Sequence, residues 1–202
     1  MSTSINIALV TVVRAYKLVD FNICNDIHKQ HEFVKQKILI DNSLTKSQKT
    51  ETISLLNKSY DRTKILNNSG TKRTCEKCNQ ECLATFYCEH CVRNYLKAKF
   101  SNWTSGNDDI DNLIQKCQME SFGPANIVEW IPYSNLKNIE YLTKGGFSEI
   151  YTADWINGRY EEWDSEKQQL TRHGNHDIIL KVLENVENAN QRWFEEVCII
   201  LF

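Results

Sequence analysis

Apolar residues in the first third of the chain recur at helical rather than strand spacing. After Asp26, the segment HKQHEFVKQKILI sets Phe33, Val34, Ile38 and Leu39 on one side of a helix. Asn42 and Ser43 interrupt that pattern. Thr45 and Gln48 then read as a capping box, Thr-x-x-Gln, opening a second helix. Ile53, Leu55, Leu56, Tyr60 and Ile65 supply its apolar stripe. The expectation for residues 1–68 is a helical hairpin whose stripes are core contacts, with no chemistry of its own. The string at Asn67–Gly70 is rich in turn residues and marks a boundary. Another helix is predicted within 96–125, capped by Asn107 or Asp108 and striped by Ile110, Leu113, Ile114 and Cys117.

From Asn126 the texture changes. Short runs rich in Ile, Val, Tyr and Trp appear at Asn126–Pro132, Ile139–Leu142, Glu149–Trp155 and Ile178–Leu183, with polar turns between them. Asn157-Gly158 lies between two such runs and predicts a hairpin tip. Glu187–Phe202 reads as a helix that ends in the apolar string VCIILF. Such an end suggests a chain cut through a domain, or a segment docked back on its own sheet. The pattern as a whole predicts an α+β chain: a helical region (1–68), a small Cys-rich module (71–95), a connecting helix (96–125), and an antiparallel sheet with a helix (126–202).

Composition narrows the partners. Lys and Arg total 24 against 26 Asp and Glu, a formal charge of −2, so no single-sign field favours nucleic acid or an acidic membrane. The apolar run Ile5–Val13 is too short to span a bilayer and is soon followed by Arg14, Lys17 and Asp20. It also lacks the basic stretch that precedes the apolar part of a signal peptide. The expectation is a cytoplasmic address, with the nucleus open, no membrane partner, and a protein partner of unknown identity.

Cysteine spacing adds chemistry. Five of the eight cysteines fall between positions 75 and 91, in the pattern Cys75-x-x-Cys78, nine residues, Cys88-x-x-Cys91. Without an export signal, metal binding is a better reading than a disulfide scaffold. A two-residue gap lets one tight turn aim both sulfurs at one ion, and two such knuckles offer four thiolates in a closed tetrahedron. Zinc so held is structural, because no coordination position is left for a substrate. Cys82 and His90 are spare ligands, whereas Cys24, Cys117 and Cys198 suit small core positions. Lys72, Arg73, Lys77, Arg93, Lys97 and Lys99 surround the cluster, but Glu76, Glu81 and Glu89 offset half of them. That balance argues against a nucleic-acid-binding finger.

The segment Ile139–Tyr151, IEYLTKGGFSEIY, sets paired glycines between two β-type runs. Such a turn lets backbone N–H groups approach phosphate closely, with no Cβ in the way. IILK, ending at Lys181, follows on another β-type run, and Glu196 comes fifteen residues later within WFEEV. This order resembles the glycine loop, third-strand Lys and C-helix Glu of the protein kinase N-lobe. The two CxxC knuckles, Phe100–Gln115, Glu129–Phe147, Ile150–Trp155 and Ile179–Leu183 together resemble tyrosine-kinase-like fungal kinases over roughly residues 43–202.

The resemblance implies an antiparallel N-lobe of five strands and ATP with Mg as cofactor. Lys144, Gly145, Gly146 and Phe147 would cover phosphate, Ile150 would roof the adenine, and Lys181 would pair with Glu196. Thr143 and Ser148 replace two loop glycines, Glu149 adds negative charge, and Ile179 replaces the small residue that makes room for the base. These departures oppose tight nucleotide binding. No His-Arg-Asp, Asp-Phe-Gly or Ala-Pro-Glu string occurs, so the expectation is a truncated, inactive kinase relative. The other reading is a zinc-dependent interaction module that uses a kinase-lobe remnant as a docking surface.

Overall fold

The computed structural model describes residues 2–145 and 148–183. Contact density divides the chain between Cys88 and Glu89 into two compact units.

The first unit opens with three helices, α1 (Ser2–Tyr16), α2 (Ile27–Ile40) and α3 (Lys46–Leu66). Asp26 caps α2, its carboxylate accepting from the His28 and Lys29 amides at 2.8 Å each. The capping box of α3 is formed from both sides: Gln48 N–H donates to Thr45 Oγ1 at 3.2 Å, and Thr45 N–H to Gln48 Oε1 at 2.8 Å. Where a helical hairpin was expected, α1 packs on both α2 and α3 as a third member. Val12, Ala15, Val19, Cys24, Val34, Ile38 and Leu56 form the core. Phe33 leans on this core, but Leu39 is 42% exposed, and the buried stripe of α2 runs through His31 instead. Among the described residues no helix is long and apolar enough to cross a membrane.

His31 stacks on Tyr60 with ring centroids 3.9 Å apart. Burial pushes its pKa down, and the charges of Lys35 and Lys64 add to this, against the bond to Asn57 and the charge of Glu32. A histidine depressed in the folded state leaves the unfolded chain binding more protons on acidification, so stability falls with pH. The helical unit should therefore lose stability as pH drops through the unfolded histidine value of about 6.5. Urea unfolding of wild type and His31→Gln at neutral and mildly acidic pH checks this; equal slopes with pH would refute it.

Beyond α3, the two-residue strands β1 (Arg73–Thr74) and β2 (Glu81–Cys82) pair antiparallel. The turn at Asn67–Gly70 ends the helix without ending the packing. Asp61 and Lys64 on α3 bond to residues 83–86 on its far side.

The second unit holds α4 (Glu89–Lys97), α5 (Asp108–Glu120) and five strands: β3 (Leu136–Lys144), β4 (Ser148–Trp155), β5 (Tyr160–Asp164), β6 (Gln169–Arg172) and β7 (His176–Leu183). Asn107 caps α5, and Ile114 and Cys117 lie on its buried face. Tyr95 of α4 meets Trp163 of β5 edge-on at 5.7 Å.

The strands form two separate antiparallel sheets, β3-β4-β7 and β5-β6, where the kinase resemblance implies one sheet of five. Two further expectations change. Asn126–Pro132 contains no strand. Pro124 precedes it and Pro132 ends it, and Glu129 within it accepts from Tyr160 N–H at 3.1 Å and from Arg172 Nη2 at 2.5 Å. Burial pushes the Glu129 carboxyl up, and the Arg172 guanidinium only partly offsets this.

Asn157-Gly158 is a turn but not a hairpin tip, because β4 pairs with β3 and β7 and not with β5. The chain reverses at Ser165–Gln168, where the Asp164 carboxylate accepts from the Glu166 and Lys167 amides at 3.0 and 2.9 Å. Gly158 has φ +57° and touches the returning chain so closely that a Cβ would run into the Gly174 carbonyl oxygen.

Candidate metal centre

The first knuckle grows from the β1–β2 hairpin. Cys75 N–H donates to Gln80 O at 2.9 Å and Asn79 N–H returns to Cys75 O at 2.8 Å, closing a turn whose last residue, Asn79, has φ +56°. Asparagine tolerates that left-handed conformation better than most residues. The second knuckle starts in the loop before α4 and ends at Cys91, in the first turn of that helix. A helix N-terminus favours the thiolate over the thiol.

The cysteine sulfurs of Cys75, Cys78, Cys88 and Cys91 all lie within 4.8 Å of one another. Cys78 Sγ and Cys88 Sγ are 3.6 Å apart. A tetrahedron with metal–sulfur bonds of about 2.3 Å has edges of about 3.8 Å, so the sulfurs stand near the spacing a zinc ion demands. No cysteine among the described residues is joined in a disulfide. Burial raises the Cys75 thiol, but amide donors from Cys78 and Lys77 and the thiols of Cys88 and Cys78 outweigh it, bringing the pKa down to about 6. Thiolate is the ligating form, so the cluster is prepared for a cation. Four protein ligands would close the coordination shell of an ion held there and leave it a structural role.

Of the two spare ligands, Cys82 lies near the cluster. Its sulfur forms a second group with Cys88 and Glu89 within 4.8 Å, while its thiol donates to Arg73 O at 3.4 Å. His90 belongs to neither group. Three residues that the spacing of cysteines does not reveal also build the site. Arg73 donates to Ala84 O at 2.8 Å and to Tyr87 O at 2.6 Å, binding β1 to the loop before the second knuckle. Asp61 and Lys64 fasten that same loop to α3.

The other expected site lies on the β3-β4-β7 sheet. Gly145 N–H donates to Ser148 O at 2.8 Å, closing the turn between β3 and β4, while Gly146 and Phe147 lie outside the described residues. The register sets Ile150 opposite Lys181 and Thr152 opposite Ile179. Directly paired residues share a face, so these four form one surface. Lys181 is exposed, and Ile179 is 63% exposed. Glu149 falls on the other face, within 3.5 Å of Lys144 Nζ, and accepts from the Tyr151 hydroxyl at 2.9 Å. Glu196 lies outside the described residues. No protein-family model matches the chain, and neither a curated protein nor a solved structure is significantly similar to it.

Proposed function

We propose that residues 126–202 are the nucleotide-binding lobe of a tyrosine-kinase-like protein kinase, and that the four-cysteine module is a zinc-dependent platform for a protein partner. One observation carries the first part: Ile150 stands directly opposite Lys181, near the end of the sheet where the glycine turn joins β3 to β4. Kinases set the phosphate-covering loop between two strands and the phosphate-pairing Lys on the third. The charge of Glu149, which would repel phosphate, is paired with Lys144 on the opposite face.

In this reading Ile150 covers the base, the amides of the turn hold phosphate, and Lys181 supplies a point charge to it. Ile179 shares the face and narrows the space for a purine, so binding is modest. The 202 residues contain no His-Arg-Asp or Asp-Phe-Gly string. The activity proposed for them is therefore nucleotide binding and not phosphoryl transfer.

The test is thermal unfolding with millimolar Mg-ATP. A ligand at ten times its Kd adds about 1.4 kcal/mol, enough to raise Tm by a few degrees. Lys181→Met should abolish the rise. Gly145→Ala should weaken it while leaving the nucleotide-free Tm unchanged, since the added methyl would meet only Ser148 atoms at 3.6 Å. No shift in the wild-type chain would reject the nucleotide reading and leave the zinc module as the functional part.

A further inference from the structure

Within the helical unit, His28 joins two side chains from different places in the sequence. It lies in the first turn of α2. Its Nδ1 is 2.6 Å from the Tyr60 hydroxyl on α3, and its Nε2 is 3.0 Å from Ser69 Oγ in the turn that follows α3. Tyr60 is held by the ring of His31 on one side and has the Lys64 ammonium 4.9 Å from its centroid. Ser69 is held by its own N–H, which donates to Lys64 O at 2.9 Å.

Gly70 follows with φ +115°, and a Cβ there would stand 3.1 Å from His28 Cε1 and 3.2 Å from Lys64 Cδ. Only glycine both takes that backbone angle readily and keeps the ground beside the imidazole clear. An open hollow of about 460 Å³ adjoins the relay, bounded by His28, Tyr60, Lys64, Gly70 and Thr71.

The geometry points to a nucleophilic site for small esters, in which Ser69 attacks, His28 carries the proton and Tyr60 holds the ring. A hydroxyl within reach of an imidazole that is itself held by a third group is the arrangement acyl-transfer sites use. With the Nδ1 proton donated to the Tyr60 oxygen, Nε2 accepts from the Ser69 hydroxyl. Ser69 Oγ bonds to the ester carbonyl carbon while its proton passes to His28 Nε2. The bond to the alkoxy oxygen breaks, and that proton leaves with the alcohol. Water then attacks the acyl-serine by the same route, releasing a carboxylic acid and restoring Ser69.

Burial, then the charges of Asp61, Asp26 and Glu32, push the Tyr60 hydroxyl up, so the ring is held by a neutral phenol. A phenol can accept from the ring or donate to it, so it orients the imidazole but gives an imidazolium less support than a carboxylate would. The site is accordingly slow. This inference is independent of the nucleotide and zinc readings.

The experiment treats the full chain with a fluorophosphonate probe and maps the adduct by mass spectrometry, alongside hydrolysis of p-nitrophenyl acetate. The expected result is an adduct on Ser69, formed about a hundredfold more slowly in His28→Gln, in line with the usual contribution of a general base. Hydrolysis should fall to background in Ser69→Ala. A wild-type chain with no Ser69 adduct overturns the proposal, whatever the variants do. So does a folded His28→Gln protein that labels at the wild-type rate, since a purely structural tie would leave Ser69 equally inert in both.

Discussion

Stripping zinc with a chelator should unfold the segment that carries the two knuckles, and Cys88→Ser should do the same with no chelator present. The reason is one of scale. β1 and β2 have two residues each, and among residues 71–88 the buried apolar side chains are chiefly Cys75, Cys82, Leu83, Ala84 and Cys88. So small a set cannot offset the chain entropy of ordering the segment, at about 1–2 kcal/mol per residue. Structural zinc sites contribute about 10–16 kcal/mol of apparent binding energy at pH 7, more than the whole stability of many domains. Cys82→Ser gives the contrast. Its sulfur lies outside the four-sulfur group, so zinc content should stay at wild type. Metal analysis of purified protein with limited proteolysis reads both outcomes. About half an equivalent of zinc or less, with a digestion pattern indifferent to chelator, would refute the metal centre.

The sequence displayed the four-cysteine cluster because both knuckles are local. A two-residue gap forces each cysteine pair together whatever the rest of the chain does, and only the meeting of the pairs needs the fold. The capping box at Thr45 and Gln48 and the cap at Asn107 were legible for the same reason: each is complete within four residues. The misread elements all depended on distant partners. Ile127 and Val128 have β-type side chains, but among the described residues no strand pairs with them, and Gln118 of α5 donates to the Val128 carbonyl at 2.8 Å instead. Asn157-Gly158 carries the hairpin dipeptide with φ values of +72° and +57°. Its glycine answers to the returning chain at Gly174, sixteen positions away in sequence and invisible to a local pattern. The apolar run in α1 gave no helical signal on its own, because its exposed face also carries Leu9, Val10 and Val13. Ser69, His28 and Tyr60 are spread over more than forty positions and share no motif.

Asp61→Ala should be the most damaging single substitution in the helical unit, at about 3–5 kcal/mol. Asp61 is fully buried. Its carboxylate accepts from Thr85 N–H at 2.7 Å, Thr85 Oγ1 at 2.8 Å and Phe86 N–H at 3.2 Å, and it faces Lys64 Nζ at 2.8 Å. Lys64 in turn donates to Leu83 O at 2.6 Å. Removing the acid strands a buried ammonium and three donors together, which is why breaking such a pair costs more than the pair contributes. On the sequence this is an ordinary i, i+3 pair on a helix surface, worth a few tenths of a kcal/mol; burial changes its meaning. Lys64→Met should cost less, because Asp61 keeps its three donors. The double variant should be less unstable than the two losses summed, since the Lys64 charge that Asp61→Ala leaves buried without its counter-charge is absent once Lys64 is Met. The loop that Asp61 anchors runs directly into Cys88, so Asp61→Ala should also weaken zinc retention in competition with a chelator. Urea unfolding of the two single variants and the double variant measures the coupling. A loss within about 0.5 kcal/mol for Asp61→Ala, the range of an ordinary surface change, would show that the acid does not hold the second knuckle in place.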